Sequence, residues 1–222
     1  MEFLFDARAL SYFGAWVGVG AALLMVFFAL RLHGREWGFV LWTWAFVFIA
    51  LGQIFGAIRL LLGLSLTGGF ANLCFLVGTV LLVRGVRFFA GATMRWRWHM
   101  AILVLAAVIT VGTAWWNWQE VLRPVSFAIF EVVLMLELLW LLLRCMPPML
   151  RGAGYFLAAM ALVYLCLFGA IGWATAQLAN QANKLFAVQV LTVGFIAACV
   201  ALFLTAGGCV YMQTRSLKSR AQ

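Results

Sequence analysis

The feature that most constrains this chain is a series of uninterrupted apolar blocks, each about 20 residues long, a length typical of a membrane-spanning helix. At about 1.5 Å per residue, a helix of that length crosses a hydrocarbon core of about 30 Å. Hydrophobic residues make up 67% of the chain and charged residues 9%, against about 45–50% and about 25% in soluble domains. A soluble domain could not bury so many apolar side chains. The sequence therefore predicts an all-α integral membrane protein.

Short segments rich in glycine, proline and charged residues separate the apolar blocks. Connections this short place consecutive helices next to each other in antiparallel order, which predicts one bundle of seven transmembrane helices. The predicted helices are 11–30, 37–62, 70–89, 99–116, 124–143, 153–174 and 185–211. Residues 1–212 form the predicted transmembrane domain, and residues 213–222 form a basic cytoplasmic tail or the start of a linker to a further module.

The basic residues between the predicted helices indicate the orientation of the bundle. Counted over alternate connections and the two ends, eleven Lys and Arg residues fall on one side and four on the other. Because cytoplasmic connections carry the positive excess, the amino terminus is expected outside and the carboxyl terminus in the cytoplasm. The net charge of +9 is then explained by orientation and by attraction to anionic membrane lipids, so no nucleic-acid partner is expected.

Two carboxylates, Glu131 and Glu137, fall inside the fifth predicted helix, where burying an ionisable group is costly. Counted from residue 124, Glu131 lies about 10 Å deep and Glu137 about 20 Å deep. Counted from residue 70, Arg84 lies about 21 Å deep. These depths predict two buried ion pairs, Arg84 with Glu137 and Arg59 with Glu131.

The buried charges have two interpretations that the sequence leaves open. They are either staples between helices that bind no ligand, or part of a pocket in the outer half of the bundle. Such a pocket would suit an anionic or zwitterionic ligand through its arginine. Its candidate ligand-binding residues are Gln53, Arg59, Asn72, Glu131 and Gln189.

Other site chemistries lack the residues they need, so neither catalytic residues nor a metal site or cofactor is predicted. His33 and His99 lie at the ends of predicted helices and are expected at the membrane interface. The only lysines, Lys184 and Lys218, lie outside the predicted helices, which argues against retinal bound as a Schiff base. The five cysteines show no paired pattern and are expected to pack as small apolar residues. Phosphate-binding loops and hydrolase motifs do not occur in the sequence.

A more particular pattern runs through residues 37–91, WGFVLWTWAFVFIALGQIFGAIRLLLGLSLTGGFANLCFLVGTVLLVRGVRFFAG. It resembles the seven-span membrane domain that precedes the GGDEF module in many bacterial diguanylate cyclases. About a quarter of the chain carries this resemblance, and the remainder matches only in the number and spacing of the spans. The points of resemblance are Trp42, Gly52, Arg59, the connection 63–69, Asn72, Gly78 and the exit formed by Arg84, Arg87, Phe89 and Gly91.

The resemblance implies a sensory input domain of a bacterial inner membrane protein. Such a domain binds a small or lipid-borne ligand and signals through its last helix to a cytoplasmic output module. It also implies homodimerisation through the seventh helix. The sequence contains no GGDEF signature, so no enzymatic activity is expected of this chain as given, although a carboxyl-terminal cyclase module would supply one. The alternative interpretation is a small-solute transporter or channel-like membrane protein, whose buried charges would line a path.

Overall fold

The computed structural model describes residues 7–31, 37–62, 65–93, 96–115 and 122–175. These residues form six α-helices and one short 3-10 turn, and the described part contains no strand. The helices are α1 (Ala7–Arg31), α2 (Trp37–Leu62), α3 (Ser65–Phe89), α4 (Trp96–Trp115), α5 (Leu122–Arg144) and α6 (Arg151–Thr175), and the 3-10 turn Pro148–Leu150 precedes α6.

The structure thus places helices over the first six predicted segments, and the seventh, 185–211, lies outside the described residues. The largest difference is at the start of α3, which begins at Ser65 rather than at residue 70. Residues 65–69 look like a connection because they contain Ser, Thr and two glycines, yet they form the first turns of the helix.

Four described helices contain stretches that are long and apolar enough to cross a membrane, namely Tyr12–Leu30, Trp37–Arg59, Thr67–Phe89 and Ser126–Arg144. Two shorter apolar stretches lie in α4 and α6, Trp96–Gly112 and Gly154–Val163. Large apolar side chains such as Leu23, Val108 and Val111 point outward and are more than half exposed. In a polytopic protein such side chains face lipid, so the described fold is that of a helical multi-pass membrane protein.

The core forms around α2 and α3, which have the most extensive contact of any helix pair. Helix α1 packs on α2, while α5 packs against α3, α4 and α6. The larger of two apolar clusters includes Trp42, Phe46 and Val83 and extends to α1, α5 and α6. The smaller one lies among α3, α4 and α5 around Leu76, Ile102 and Leu134.

The close contact of α2 with α3 depends on a glycine. The Nε1–H of Trp42 donates to the carbonyl oxygen of Leu82 at 3.0 Å, and the indole ring covers Gly85. A Cβ atom at Gly85 would overlap that ring. The ring of Phe89 packs edge-on against Trp42, with centroids 5.3 Å apart, so this end of α3 is fixed firmly to α2.

Helix α3 ends in a tight turn that matters for the site described below. Gly91 adopts a positive φ of 62°, which glycine tolerates at no steric cost. The amide of Gly91 donates to the carbonyl of Phe88 and the amide of Ala92 to the carbonyl of Arg87. This pair of bonds is a Schellman motif. It turns the chain back beside the last turn of α3, towards α4.

One end of the bundle gathers the carboxyl ends of α3 and α5 and the amino ends of α4 and α6, and we call it the basic end. Three exposed arginines lie there, Arg97, Arg144 and Arg151. Trp96 and Trp98, at the start of α4, are about half exposed there, at 52% and 50%. Exposed tryptophans and arginines at one level are typical of a membrane interface.

Candidate functional site

The strongest polar contact in the described structure joins α3 to α5. Nε and Nη2 of Arg87 each lie 2.6 Å from Oε1 of Glu137. The two side chains are 4% and 13% exposed. Glu137 is seven residues before the end of α5 at Arg144, so the pair lies about 10 Å inside the basic end. It is a buried, charge-assisted contact.

The turn after α3 completes the coordination of Arg87. Nη1 of Arg87 donates to the carbonyl oxygen of Thr93 at 2.7 Å. Thr93 reaches this position because the Schellman motif at Gly91 folds the chain back along the last turn of the helix. All three guanidinium nitrogens of Arg87 are therefore bonded, two to a carboxylate and one to the backbone.

Helix α4 contributes a histidine to the same carboxylate. Nε2 of His99 lies 3.2 Å from both Oε1 and Oε2 of Glu137, and the His99 side chain is fully buried. Its other nitrogen, Nδ1, is buried with no hydrogen-bond partner among the described residues. We call the group formed by Arg87, the Thr93 carbonyl, His99 and Glu137 the Glu137 cluster. It links three helices through one carboxylate.

Arg84, one turn before Arg87 on α3, makes a different kind of contact. Its guanidinium carbon lies 3.7 Å from the ring centroid of Trp96, which is a cation–π contact with the first residue of α4. Nε of Arg84 is buried with no hydrogen-bond partner among the described residues. A second cation with an unused donor therefore lies one helical turn from the Glu137 cluster.

A second buried carboxylate lies deeper in the bundle. The hydroxyl of Thr79 is 3.1 Å from Oε1 and 3.3 Å from Oε2 of Glu131. Glu131 is 3% exposed and Thr79 is 6% exposed. Thr79 lies ten residues before the end of α3, or about 15 Å from the basic end. We call these two residues the Glu131 pair.

Both predicted ion pairs are wrong in their partners. Glu137 bonds to Arg87 rather than to Arg84, whose guanidinium stacks on Trp96. Glu131 bonds to Thr79 rather than to Arg59. Arg59 is exposed in the last turn of α2, and its side chain lies against the backbone at Gly68. Depth along the helix does not decide whether Arg84 or Arg87 bonds to Glu137. The two arginines are one turn apart, and an arginine side chain is long enough to span that distance.

The candidate ligand-binding residues of the outer half are dispersed in the structure. Gln53 is buried in α2, with its side chain beside Gly18 of α1. Asn72 is half-buried on α3, and Gln189 lies outside the described residues. Within the described ranges, no hydrogen bond or ion pair joins any two of Gln53, Arg59, Asn72 and Glu131. A shared pocket for these residues stays a prediction.

The contact residues that sequence analysis missed are Thr79, Arg87, His99 and Trp96. His99 was expected at the interface, yet it is fully buried against Glu137. The signal that points to it is its position in the first turn of α4, at the same end of the bundle as the last turns of α3 and α5. A threonine inside a membrane helix gives no such signal, because its hydroxyl can also bond to its own backbone.

The Glu137 cluster contains one carboxylate and one histidine. Across the described ranges, no three His, Cys, Asp or Glu side chains come together as metal ligands would. Comparison with known proteins finds no matching family model, no similar curated protein and no similar solved structure.

Proposed function

We propose that this chain is a sensory input domain that crosses a bacterial inner membrane seven times, with its amino terminus outside and its carboxyl terminus in the cytoplasm. A small or lipid-borne ligand changes the packing of the bundle, and the seventh helix passes the change to a cytoplasmic output module. Homodimerisation through that helix belongs to the same proposal. The multi-pass helical fold and the arginines and tryptophans of the basic end support this arrangement.

The observation that carries the proposal is the Glu137 cluster. A sensor must couple helices to one another, so that a change in one shifts the position of the others. One carboxylate here binds groups from α3 and α4, and the turn between these helices is bonded to the same arginine. The cluster lies near the basic end, which the orientation of the charges predicts to be cytoplasmic.

The cluster also has the means to change partners. Arg84 offers an unused Nε donor one turn from Arg87, and His99 has an unused Nδ1 atom. A shift of α3 by about 4.5 Å along its axis would bring Arg84 rather than Arg87 to the carboxylate, since the two arginines are three residues apart on one helix face. Glu137 would then bond to an arginine in either arrangement, and a two-state switch requires two arrangements of similar stability.

The resemblance to GGDEF-associated membrane domains fits this role. Arg84, Arg87, Phe89 and Gly91 form the exit of α3, which is one of the points of resemblance. Arg87 binds Glu137, Gly91 forms the turn, and Phe89 packs against Trp42. The residues of the resemblance at this end thus build the cluster or hold it in place.

The experiment that tests the proposal joins a diguanylate cyclase module to the full chain after Gln222 and measures cyclic di-GMP formation in membranes. Glu137→Gln removes the charge that binds Arg87 and His99 and keeps the shape of the side chain. We expect this variant to change cyclase output several-fold, in either direction, at an equal amount of protein in the membrane. Arg97→Gln changes an exposed arginine of the same end and serves as the matched control.

Equal cyclase output from the parent chimera, Glu137→Gln and Arg97→Gln would contradict a signalling role for the cluster. Equal changes in both variants would contradict it too, because surface charge alone would then explain the effect. A folding check is needed for each variant, and tryptophan fluorescence serves that purpose because Trp42 is buried in the core.

A small-solute transporter is the second candidate, and the Glu131 pair favours it. Carboxylates at mid-membrane depth are typical of proton-coupled transport paths. Proteoliposomes loaded with a pH-sensitive dye test this function directly. Rapid dissipation of an imposed pH gradient by the parent chain, with slow dissipation by Glu131→Gln, would favour transport over sensing.

A further inference from the structure

We infer that Glu131 is a proton-binding site inside the bilayer, where a neutral carboxyl group bonded to Thr79 holds α3 against α5. The ligand of this site is the proton itself. The inference concerns the chemical state of one side chain, and it does not depend on which function the chain has.

No compensating charge among the described residues bonds to the carboxyl group of Glu131. The only hydrogen-bond partner of Glu131 among the described residues is the hydroxyl of Thr79, which is uncharged. An ionised carboxylate with one neutral partner, buried in an apolar medium, is much less stable than its protonated form. Glu137 provides the contrast within the same helix, because it bonds to the guanidinium of Arg87 and to His99.

Among the described residues, the helices that pack around Glu131 bring no cation into contact with it. Helix α5 packs against α3, α4 and α6. On α3, Arg84 contacts Trp96 and Arg87 contacts Glu137, while Cys74 is a free cysteine five residues before Thr79. On α4, Arg97 and His99 lie in the first turn, and the rest of the helix carries no charged or titratable residue.

The charged and titratable residues of α5, α6 and the predicted seventh helix bear on the same question. On α6, Arg151 and Tyr155 are exposed near the basic end, and Cys166 is exposed farther along. On α5 itself, Arg144 ends the helix and Arg123 lies eight residues before Glu131, or about 12 Å along the axis. The predicted seventh helix, residues 185–211, contains no Lys, Arg or His in its sequence.

The geometry of the Glu131 pair is compatible with a protonated carboxyl group. Thr79 Oγ1 lies at similar distances from both carboxyl oxygens, 3.1 and 3.3 Å. A hydroxyl can donate to one oxygen and accept from the other only if the carboxyl carries a proton, because an ionised carboxylate only accepts. The neutral form therefore uses both contacts as hydrogen bonds.

The consequence is a contact between helices that depends on proton occupancy. With the proton bound, two neutral groups form a compact polar contact beside the apolar cluster of Leu76, Ile102 and Leu134. Release of the proton leaves a charge between α3 and α5, which water or a cation must then solvate. The two helices separate on that side, and the bundle acquires a second packing state.

Infrared spectroscopy of the full chain in lipid nanodiscs tests this inference. The carbonyl stretch of a protonated carboxyl is distinct from the bands of a carboxylate. At neutral pH we expect this band in the parent chain and in Glu137→Gln, and we expect it to be lost in Glu131→Gln. In Thr79→Val it should persist at higher frequency, because the hydrogen bond is lost.

A hydrophobic carbodiimide gives a second readout that needs no variant. The reagent adds to a protonated carboxyl within the bilayer and increases the mass of that side chain. Labelling at Glu131 with Glu137 spared supports the inference, even if Glu131→Gln fails to fold. The inference is overturned if the parent chain shows no carbonyl band that Glu131→Gln removes, or if the carbodiimide leaves Glu131 unmodified. Neither readout involves cyclase output or solute flux, so failure here is distinct from failure of the proposed function.

Discussion

Arg87 of α3 binds Glu137 of α5 through two of its nitrogens, each 2.6 Å from the same carboxylate oxygen. The contact joins residues 50 positions apart in the sequence and lies inside the basic end of the bundle. It sets the relative height of the two helices in this packing state, because it joins α3 directly to α5.

The first prediction concerns this ion pair. Glu137→Leu leaves Arg87 buried without its counter-charge, and we expect it to lower the free energy of unfolding by about 3–5 kcal/mol. The double variant Arg87→Met with Glu137→Leu removes both charges and should recover most of that loss. Thermal unfolding in detergent micelles measures both effects. If the double variant loses as much as the sum of the two single variants, the residues are not coupled.

The second prediction concerns the Glu131 pair. Thr79→Val keeps the shape of the side chain and removes the hydroxyl, so Glu131 stays buried without a hydrogen-bond partner. We expect a loss of about 1–3 kcal/mol in the free energy of unfolding. Thr79→Ser keeps the hydroxyl and is the matched control, with a smaller loss from the missing methyl group. Equal stability of Thr79→Val and the parent chain would contradict the contact.

The third prediction concerns the close approach of α2 and α3. A Cβ atom at Gly85 would overlap the ring of Trp42, so Gly85→Ala should displace the indole and break its bond to Leu82. We expect a cost of about 1–3 kcal/mol, as for overpacking in a core, together with a change in tryptophan fluorescence. Gly20→Ala is the control, because nothing lies within 4 Å of a Cβ atom there. Similar effects of the two substitutions would contradict the packing described.

The fourth prediction concerns the contact of Arg84 with Trp96. Trp96→Leu removes the ring on which the guanidinium stacks, and we expect a loss of about 0.5–1 kcal/mol in the free energy of unfolding. Trp98→Leu is the control, since Trp98 is exposed to a similar extent, 50% against 52%. A larger loss in Trp98→Leu than in Trp96→Leu would show that lipid-facing aromatic surface, rather than the cation–π contact, stabilises this end.

The helices were largely predictable from the sequence, because a hydrocarbon core imposes a length on each apolar block. The predicted range 37–62 coincides with α2. The other five described helices differ by a few residues, mostly because they continue past the apolar block into the interface. At the start of α3 the polar composition of residues 65–69 suggested a connection, but the backbone there satisfies its own hydrogen bonds by staying helical.

The polar contacts were only partly predictable. The presence of Glu131 and Glu137 within the fifth predicted helix indicated that each needs a partner, and the structure gives each one. The choice of partner depends on the rotation of each helix about its axis and on side-chain reach, and counting residues along a helix gives neither. That is why Arg87 was missed in favour of Arg84, and Thr79 in favour of Arg59.

The Glu137 cluster can signal to the cytoplasm only if the basic end of the bundle lies on the cytoplasmic side of the membrane. The most direct measurement places single cysteines at Thr93 and at Ser65 in a chain whose five native cysteines are replaced. A membrane-impermeant thiol reagent is then applied to intact cells and to opened cells. If the basic end is cytoplasmic, Ser65→Cys is labelled in intact cells and Thr93→Cys only after the cells are opened. Labelling of Thr93→Cys in intact cells would contradict a cytoplasmic basic end.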